Sequence, residues 1–138
     1  MTESERLKAL IAYRLTQADE ALNAAQLNLD HGLNRSAINR AYYAMFYAVL
    51  GLLAVRQQET SRHSGALALF DRDYVKPGTF SRDFSRWLHA AFEARQDADY
   101  GDEFTTTLAE VRESVDHARE FIIGVREHLT REGFGVES

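Results

Sequence analysis

The segment from Arg35 to Leu50 constrains the fold more than any other part of the chain. It contains neither proline nor glycine, and its alanine, leucine and methionine residues favour helix, so it predicts one continuous helix. Apolar residues at three- and four-residue steps form one face: Ile38, Ala41, Tyr42, Met45, Val49 and Leu53. A second stripe with the same spacing is apolar in body and polar at the tip: Ser36, Arg40, Tyr43 and Tyr47. A helix that is apolar on most sides must be packed by neighbours all round.

Polar groups within such a central helix need hydrogen-bond partners from elsewhere in the chain. Arg40, Tyr43 and Tyr47 are the residues concerned. The simpler interpretation is a satisfied polar network within the core, because buried polar groups are usually just paired. The alternative is a functional site.

The rest of the chain is also predicted to be helical. One proline and eight glycines among 138 residues leave few helix breakers. We therefore expect an all-α single domain over residues 1–138, an antiparallel up-and-down bundle of four main helices with one short extra helix. The predicted helices are about Glu3–Asp30, a central helix capped by Asn34 and ending near residues 55–57, a short one at Gly65–Phe70, a fourth at about Ser81–Ala98, and a last one capped by Thr105, Thr106 or Thr107.

The last helix carries a heptad seam, in which apolar steps of three and four alternate. The seam consists of Leu108, Val111, Val115, Ala118, Ile122, Val125 and Leu129. We expect its partner to be the first helix, and a second subunit is the alternative.

Composition limits the partners and the compartment. A net charge of −5 argues against a nucleic-acid coat protein, so any RNA binding must be local, through a cluster of arginines. The absence of cysteine excludes disulfides and thiolate zinc sites. The N-terminus lacks the order of a signal peptide, and we read no apolar run as long as a membrane span. We therefore expect a cytoplasmic protein without a membrane association.

Few residue patterns in the chain point to catalysis. It has no phosphate-binding glycine loop, no zinc-protease helix motif and no nucleophile elbow. Three arginine–histidine pairs have spacings that suit metal-independent RNA cleavage: Arg56 with His63, Arg82 with His89, and Arg112 with His117. The last two pairs have the pattern of solvated helix faces. His63 is the more informative histidine, although a helix-capping role would also explain it.

Arg95 breaks the pattern of the fourth helix. Its stripe is otherwise apolar, with Phe84, Leu88 and Ala91 at the preceding positions. A charged residue where the pattern requires an apolar one indicates either a functional group or a buried ion pair.

Three segments of the sequence resemble the HEPN fold, in particular its small stand-alone bacterial and archaeal members. They are Ser36–Phe46, His63–Gly65 and Ala94–Gly101. The resemblance extends over nearly the whole chain. It implies a helical bundle, commonly a homodimer, that is associated with a nucleotidyltransferase partner in toxin–antitoxin or defence modules. It also implies metal-independent RNA cleavage by an arginine followed four to six residues later by a histidine.

The chain departs from that motif at the matching position. Arg95 occupies the arginine position, but Asp99 stands near the usual histidine position and is followed by Tyr100. An aspartate does not titrate near neutral pH as an imidazole does. Two interpretations follow: a divergent nuclease that recruits His63 from the preceding loop, or a nucleotide- or partner-binding domain that has lost the chemistry.

We expect the site to be built around a scissile phosphate, with no metal and no cofactor. The candidate catalytic residues are Arg95, His63 and Arg40, and the candidate RNA-binding residues are Tyr43, Asp99, Tyr100 and Arg62. The 2′-hydroxyl of RNA would be the nucleophile. A third possibility is a purely structural helical partner whose polar core only fixes its packing.

Overall fold

The computed structural model describes residues 1–101 and 105–135, and these contain five α-helices and no strand. The helices are α1 (Glu3–Asp30), α2 (Asn34–Val55), α3 (His63–Phe70), α4 (Arg82–Tyr100) and α5 (Leu108–Arg131). A π-helical turn at Asp71–Val75 continues α3. The all-α prediction, with four main helices and one short helix, is confirmed.

The central position of α2 explains its composition. It packs against α1, α3, α4 and α5, and thirteen of its residues are buried. By length and composition alone α2 is apolar enough to cross a membrane, a feature that we did not anticipate from the sequence. However, about two thirds of its apolar stretch is buried inside the bundle. Contact with neighbouring helices is therefore sufficient to account for its apolar surface.

The predicted helix caps are correct at one of two positions. Thr107 accepts a hydrogen bond from the backbone N–H of Glu110 at 3.2 Å, so it caps α5 as one of the three predicted threonines. The Asn34 prediction is wrong, because Leu33 occupies the cap position and Asn34 is already helical. The helix therefore begins one residue earlier than the asparagine pattern indicates, and no side chain caps it.

Helix α4 is longer than predicted, and this matters for the site. It continues two residues past the expected end at Ala98, and Gly101 follows it. Arg35 donates a hydrogen bond to the backbone oxygen of Ala98 at 2.7 Å, which satisfies a carbonyl group in the last turn. Asp99 is therefore helical and lies one turn beyond Arg95. The remainder of the predicted break, residues 102–104, lies outside the described residues.

The packing of α5 differs in part from the expectation. Its main partner is α2, and its contact with α1 is smaller. The reason is that α2 is apolar on nearly all sides and offers α5 more surface than the single seam of α1 does. Phe121, which is outside the predicted seam, is fully buried, whereas Leu108 is 44% exposed.

Candidate functional site

Arg95 lies at the centre of a group of tyrosines. Its side chain is only 15% exposed, and its Nη2 donates a hydrogen bond to the hydroxyl of Tyr43 at 3.0 Å. Its Cζ lies 5.5 Å from the ring centre of Tyr43, 5.9 Å from that of Tyr42 and 5.7 Å from that of Tyr100. Cation–π attraction therefore holds the guanidinium between α2 and the end of α4.

Asp99 is the acidic partner of this arginine. Nε of Arg95 lies 3.0 Å from Oδ2 of Asp99, which is an ion-pair distance. The N–H does not point at that oxygen, however, and Nε is buried without a hydrogen bond. The side-chain amide of Asn39 donates to both carboxylate oxygens, at 3.2 and 3.1 Å. Asp99 is thus held in place from α2 as well as from its own helix.

Arg40 joins the same network through Asn39. Its Nε and Nη2 donate to Oδ1 of Asn39 at 2.9 and 2.7 Å. Its Cζ lies 4.9 Å from the ring centre of Tyr43, on which Arg95 also stacks. A continuous polar path therefore runs from Arg40 through Asn39 and Asp99 to Arg95.

His63 reaches this cluster from the first residue of α3. Its Nδ1 lies 2.7 Å from the hydroxyl of Tyr42, which is fully buried. Its ring stacks on Phe46 at 4.2 Å with an interplanar angle of 6°. Burial, and then the positive charge of Arg95, lower the pKa of His63 below its ordinary value of 6.5. The imidazole is therefore neutral at neutral pH.

The tyrosine beside His63 keeps its proton. Burial, and to a smaller extent Tyr43, raise the pKa of the Tyr42 hydroxyl, and this outweighs the opposing effect of Arg95. A protonated hydroxyl and a neutral imidazole form one hydrogen bond whose direction depends on the histidine tautomer. If Tyr42 donates to Nδ1, Nε2 carries the proton; if Nδ1–H donates to Tyr42, Nε2 has a free lone pair.

The structure brings six of the seven predicted site residues into one cluster. These are Arg95, His63, Arg40, Tyr43, Asp99 and Tyr100. The seventh, Arg62, is exposed just before α3, and its side chain makes no hydrogen bond or ion pair within the part of the chain that the structure describes. We call the six residues, together with Asn39 and Tyr42, the Arg95 cluster.

Sequence reasoning missed two of its members. Tyr42 was assigned to the apolar face, and the only signal against that assignment is a hydroxyl group that has to find a partner in the core. The role of Asn39 could not be predicted from helical periodicity, because its partner Asp99 lies 60 residues away in the chain.

The other two arginine–histidine pairs do not form sites of this kind. His89 lies 2.7 Å from Asp71, and His117 stacks on Trp87 at 4.3 Å. In the described residues neither histidine has a hydrogen bond to the arginine of its pair. Arg56, the sequence partner of His63, has its guanidinium 5.2 Å from the ring centre of Tyr74.

A groove of about 290 Å³ gives solvent access to the cluster. It is lined by polar and charged side chains: Asn28, Arg35, Ser36, Asn39, Arg40 and Asp99. Guanidinium groups recognise phosphate through paired N–H donors, so this lining suits a phosphate-bearing ligand. Residues 1–101 and 105–135 contain no group of three histidine, aspartate or glutamate side chains placed to bind a metal ion.

Comparison with known proteins gives a consistent family assignment. The model of the HEPN domain matches residues 11–128, a range that includes every member of the Arg95 cluster. A UPF0332 protein of Thermotoga maritima is 39% identical over 102 residues, which are 74% of this chain and 75% of that protein. Two proteins of Methanocaldococcus jannaschii are each named "putative toxin". One is 28% identical over 69% of this chain and 65% of its own length. The other is 31% identical over 70% of this chain and 69% of its own length.

Proposed function

The chain belongs to the HEPN-domain family, and from that premise we propose that it is a toxin-like module that binds RNA at the Arg95 cluster and cleaves it without a metal ion. The toxin names of two relatives support the first part of the proposal. The second part rests on one observation: Arg95 and His63 lie on different helices but contact the same pair of neighbouring tyrosines. His63 bonds to Tyr42, and Arg95 bonds to Tyr43 and lies over the ring of Tyr42.

The chemistry of the cluster supports the proposed RNA binding. Arg95 and Arg40 present planar forks that suit phosphate oxygens. Tyr100, which is 75% exposed, offers a ring on which an unpaired base stacks. The net charge of −5 means that this binding is local, and single-stranded RNA suits it because its bases are free to stack.

The proposed cleavage is an internal transesterification. The 2′-hydroxyl attacks the neighbouring phosphorus, and its proton passes to Nε2 of His63, which is free when Nδ1–H donates to Tyr42. Arg95 stabilises the charge that develops on the phosphoryl oxygens. The 5′-oxygen leaves with a proton from water, and the products are a 2′,3′-cyclic phosphate and a 5′-hydroxyl. Tyr42 acts as a positioning residue in this step.

A second candidate is a module that binds RNA without cleaving it. The ion pair between Arg95 and Asp99 favours this alternative, because the carboxylate neutralises the arginine on which cleavage depends. It also occupies the position at which the resembled motif has a histidine.

We also propose that the chain acts as a cytoplasmic homodimer together with a nucleotidyltransferase partner. Two exposed leucines at one end of the bundle support a protein contact: Leu33 is 55% exposed and Leu108 is 44% exposed. Gly32 and Leu108 line the same surface groove, so the two leucines lie close to each other.

One experiment separates the candidates. The purified protein is incubated with labelled single-stranded RNA in excess chelator, beside Arg95→Ala, His63→Ala and the control His89→Ala. Under the proposed function, wild type and His89→Ala cut the RNA, His63→Ala binds without cutting, and Arg95→Ala loses both properties. Binding without cutting by the wild type supports the second candidate. No binding by the wild type refutes both.

A further inference from the structure

We propose that a second cleft beside His63 holds the base of a nucleotide that neighbours the one at Arg95. This inference rests on the proposed RNA function and extends it to a specific subsite. The cleft has a volume of about 890 Å³ and lies between α1, α2 and the segment of residues 57–61. We call it the base cleft. Its size falls within the range of small-ligand sites.

The lining of the base cleft matches the two kinds of surface on a nucleobase. Leu10, Leu50 and Ala54 provide an apolar wall for the flat faces of a ring. Arg14, Gln57 and Thr60 add polar groups at the same cleft for the edges of the base. Arg14 uses Nη1 to donate to Gln17 at 3.0 Å, which leaves other guanidinium N–H groups for a ligand.

Gln57 has a backbone conformation that a glutamine rarely adopts. Its φ is 55°, and it is the only non-glycine residue with positive φ among residues 1–101 and 105–135. It follows the C-terminus of α2, where its N–H bonds to Ala54 at 2.9 Å and the N–H of Gln58 bonds to Leu53 at 3.0 Å. This arrangement is a helix-ending motif that normally contains glycine, because a side chain strains the left-handed conformation.

The same motif ends two other helices of this chain, and there the residue is glycine. Gly32 follows α1 with φ 73°, and Gly133 follows α5 with φ 87°. The equivalent bonds are Leu33 N–H to Asn28 and Phe134 N–H to Leu129. At α2 alone among these three ends, the chain keeps a strained side chain. That side chain lines the base cleft and makes no hydrogen bond within the described residues, which points to a role in ligand binding.

The rim that carries Gln57 is held in place by its neighbour. In the orientation that its partners require, the Gln58 amide donates to Asp73 and accepts from Arg72, at 3.1 and 2.9 Å. Both partners belong to the π-helical turn after α3. The rim is therefore fixed before a ligand arrives, which lowers the entropy cost of binding.

His63 connects the base cleft to the Arg95 cluster. It lines the cleft, while its Nδ1 bonds to Tyr42 and its pKa responds to Arg95. A phosphate at Arg95 and a base in the cleft would therefore flank the same imidazole. Successive nucleotides of one strand would present a phosphate and a base in this arrangement.

The test uses the full chain and a labelled single-stranded RNA tetranucleotide, with affinity measured by fluorescence anisotropy. Gln57→Gly relieves the strain and removes the amide, so its melting temperature should rise by about 3–5 °C while its affinity falls about 3–10-fold. Gln57→Ala removes the same amide and keeps the strain, so it should lose affinity without gaining stability. Arg14→Ala should also bind about 3–10-fold more weakly, whereas the charge-matched control Arg6→Ala, on the same helix but outside the cleft, should bind as wild type.

The possible outcomes distinguish this inference from the proposed function. If the Gln57 and Arg14 variants bind the tetranucleotide as wild type does, while Arg95→Ala binds it weakly, the base cleft is refuted and the RNA function stands. If the wild type does not bind the tetranucleotide, the proposed function and the base cleft fail together.

Discussion

The hydroxyl of Tyr42 lies 2.7 Å from Nδ1 of His63, although the two residues are 21 positions apart and belong to different helices. Tyr42 is fully buried, and its ring centre lies 5.9 Å from Cζ of Arg95. One core tyrosine thus touches both groups that RNA chemistry would require. This hydrogen bond also ties the first residue of α3 to the core of α2.

Replacing Tyr42 by phenylalanine should uncouple His63 from the core. The free energy of unfolding should fall by only about 1 kcal/mol, the usual net contribution of one hydrogen bond, because His63 is only half-buried. The rate of RNA cleavage should fall about tenfold or more, since the imidazole is no longer oriented. Tyr47→Phe is the matched control, because Tyr47 belongs to the second stripe of α2 and its hydroxyl makes no hydrogen bond in the described residues. Equal losses of activity in both variants would contradict a specific role for Tyr42.

The stability of the protein should depend on pH through His63. Its pKa is lower in the folded state than its ordinary value of 6.5, so the unfolded chain binds more protons in this range. Stability that depends on the neutral imidazole is fully present above pH 6.5 and is lost as the pH falls below it. Chemical denaturation between pH 5 and pH 8 should show this slope for wild type, and the slope should be smaller for His63→Gln.

His128 provides the comparison for that measurement. Burial lowers its pKa as well, and it packs against Tyr74 and Phe80 away from the Arg95 cluster. His128→Gln should therefore also reduce the pH dependence of stability, but the pH dependence of its RNA binding should equal that of the wild type. If His63→Gln and His128→Gln both change the pH dependence of RNA binding, the effect arises from global stability.

Two glycines inside helices should respond oppositely to alanine. A Cβ at Gly51 would lie 3.7 Å from its nearest neighbour, which is ordinary contact, so the helix propensity of alanine should add about 0.5–1 kcal/mol to the free energy of unfolding. A Cβ at Gly124 would lie 2.6 Å from Cζ of Phe84, whose ring is stacked between Phe80 and Phe121. Gly124→Ala should therefore cost about 1–3 kcal/mol. Urea denaturation of the Gly51 variant checks the packing of α2 against α1, and that of the Gly124 variant checks the packing of α4 against α5.

The fold was predictable from the sequence because periodicity and helix breakers carry most of the information. The bounds of α1 agree with the prediction, and α2 ends within the expected range of residues 55–57. The errors fall at helix ends, where a few hydrogen bonds decide the outcome. The bond from Arg35 to the carbonyl of Ala98 stabilises the longer end of α4, and its two residues are 63 positions apart, too far for any local pattern to reveal.

The site was predictable only in part, for the same physical reason. Arg95 was detectable because a charge interrupts an apolar stripe. Asn39 was not, because an asparagine near the start of a helix is ordinary until the carboxylate of Asp99 is placed opposite it. The strain at Gln57 could not be predicted either, because a glutamine in the sequence gives no indication of a positive φ angle.

Homodimer formation remains a prediction, and the exposed leucines make it testable. Multi-angle light scattering at micromolar concentration should give twice the chain mass of 15.7 kDa. The double variant Leu33→Glu with Leu108→Glu should shift the protein toward monomer, because charges replace exposed apolar contacts. Ile123→Glu is the control, since Ile123 is 50% exposed but lies about four turns beyond Leu108 on α5. A wild-type mass of one chain would refute the dimer.

The pairing of Arg95 with Asp99 leads to two expectations about stability and binding. Asp99 is 26% exposed and keeps its bonds from Asn39 when Arg95 is removed. Arg95→Ala should therefore lower the free energy of unfolding by about 1 kcal/mol, well below the 3–5 kcal/mol expected for a stranded buried charge. RNA binding should nevertheless fall sharply, and Arg95→Lys should restore stability but only part of the binding, because lysine lacks the planar fork.

Asp99→Asn is the more decisive variant, because it leaves Arg95 in place and removes the charge that opposes a phosphate. The amide keeps the shape of the carboxylate, so affinity for RNA should increase about 3–10-fold at low salt and the gain should shrink as salt is added. Asp97→Asn changes the net charge equally from an exposed position on the same helix, and its effect should stay within about twofold. An equal gain from both variants would assign the effect to net charge. If Arg95→Ala instead loses about 3–5 kcal/mol of stability with RNA binding unchanged, Arg95 is a core ion-pair residue and the binding site lies elsewhere on the protein.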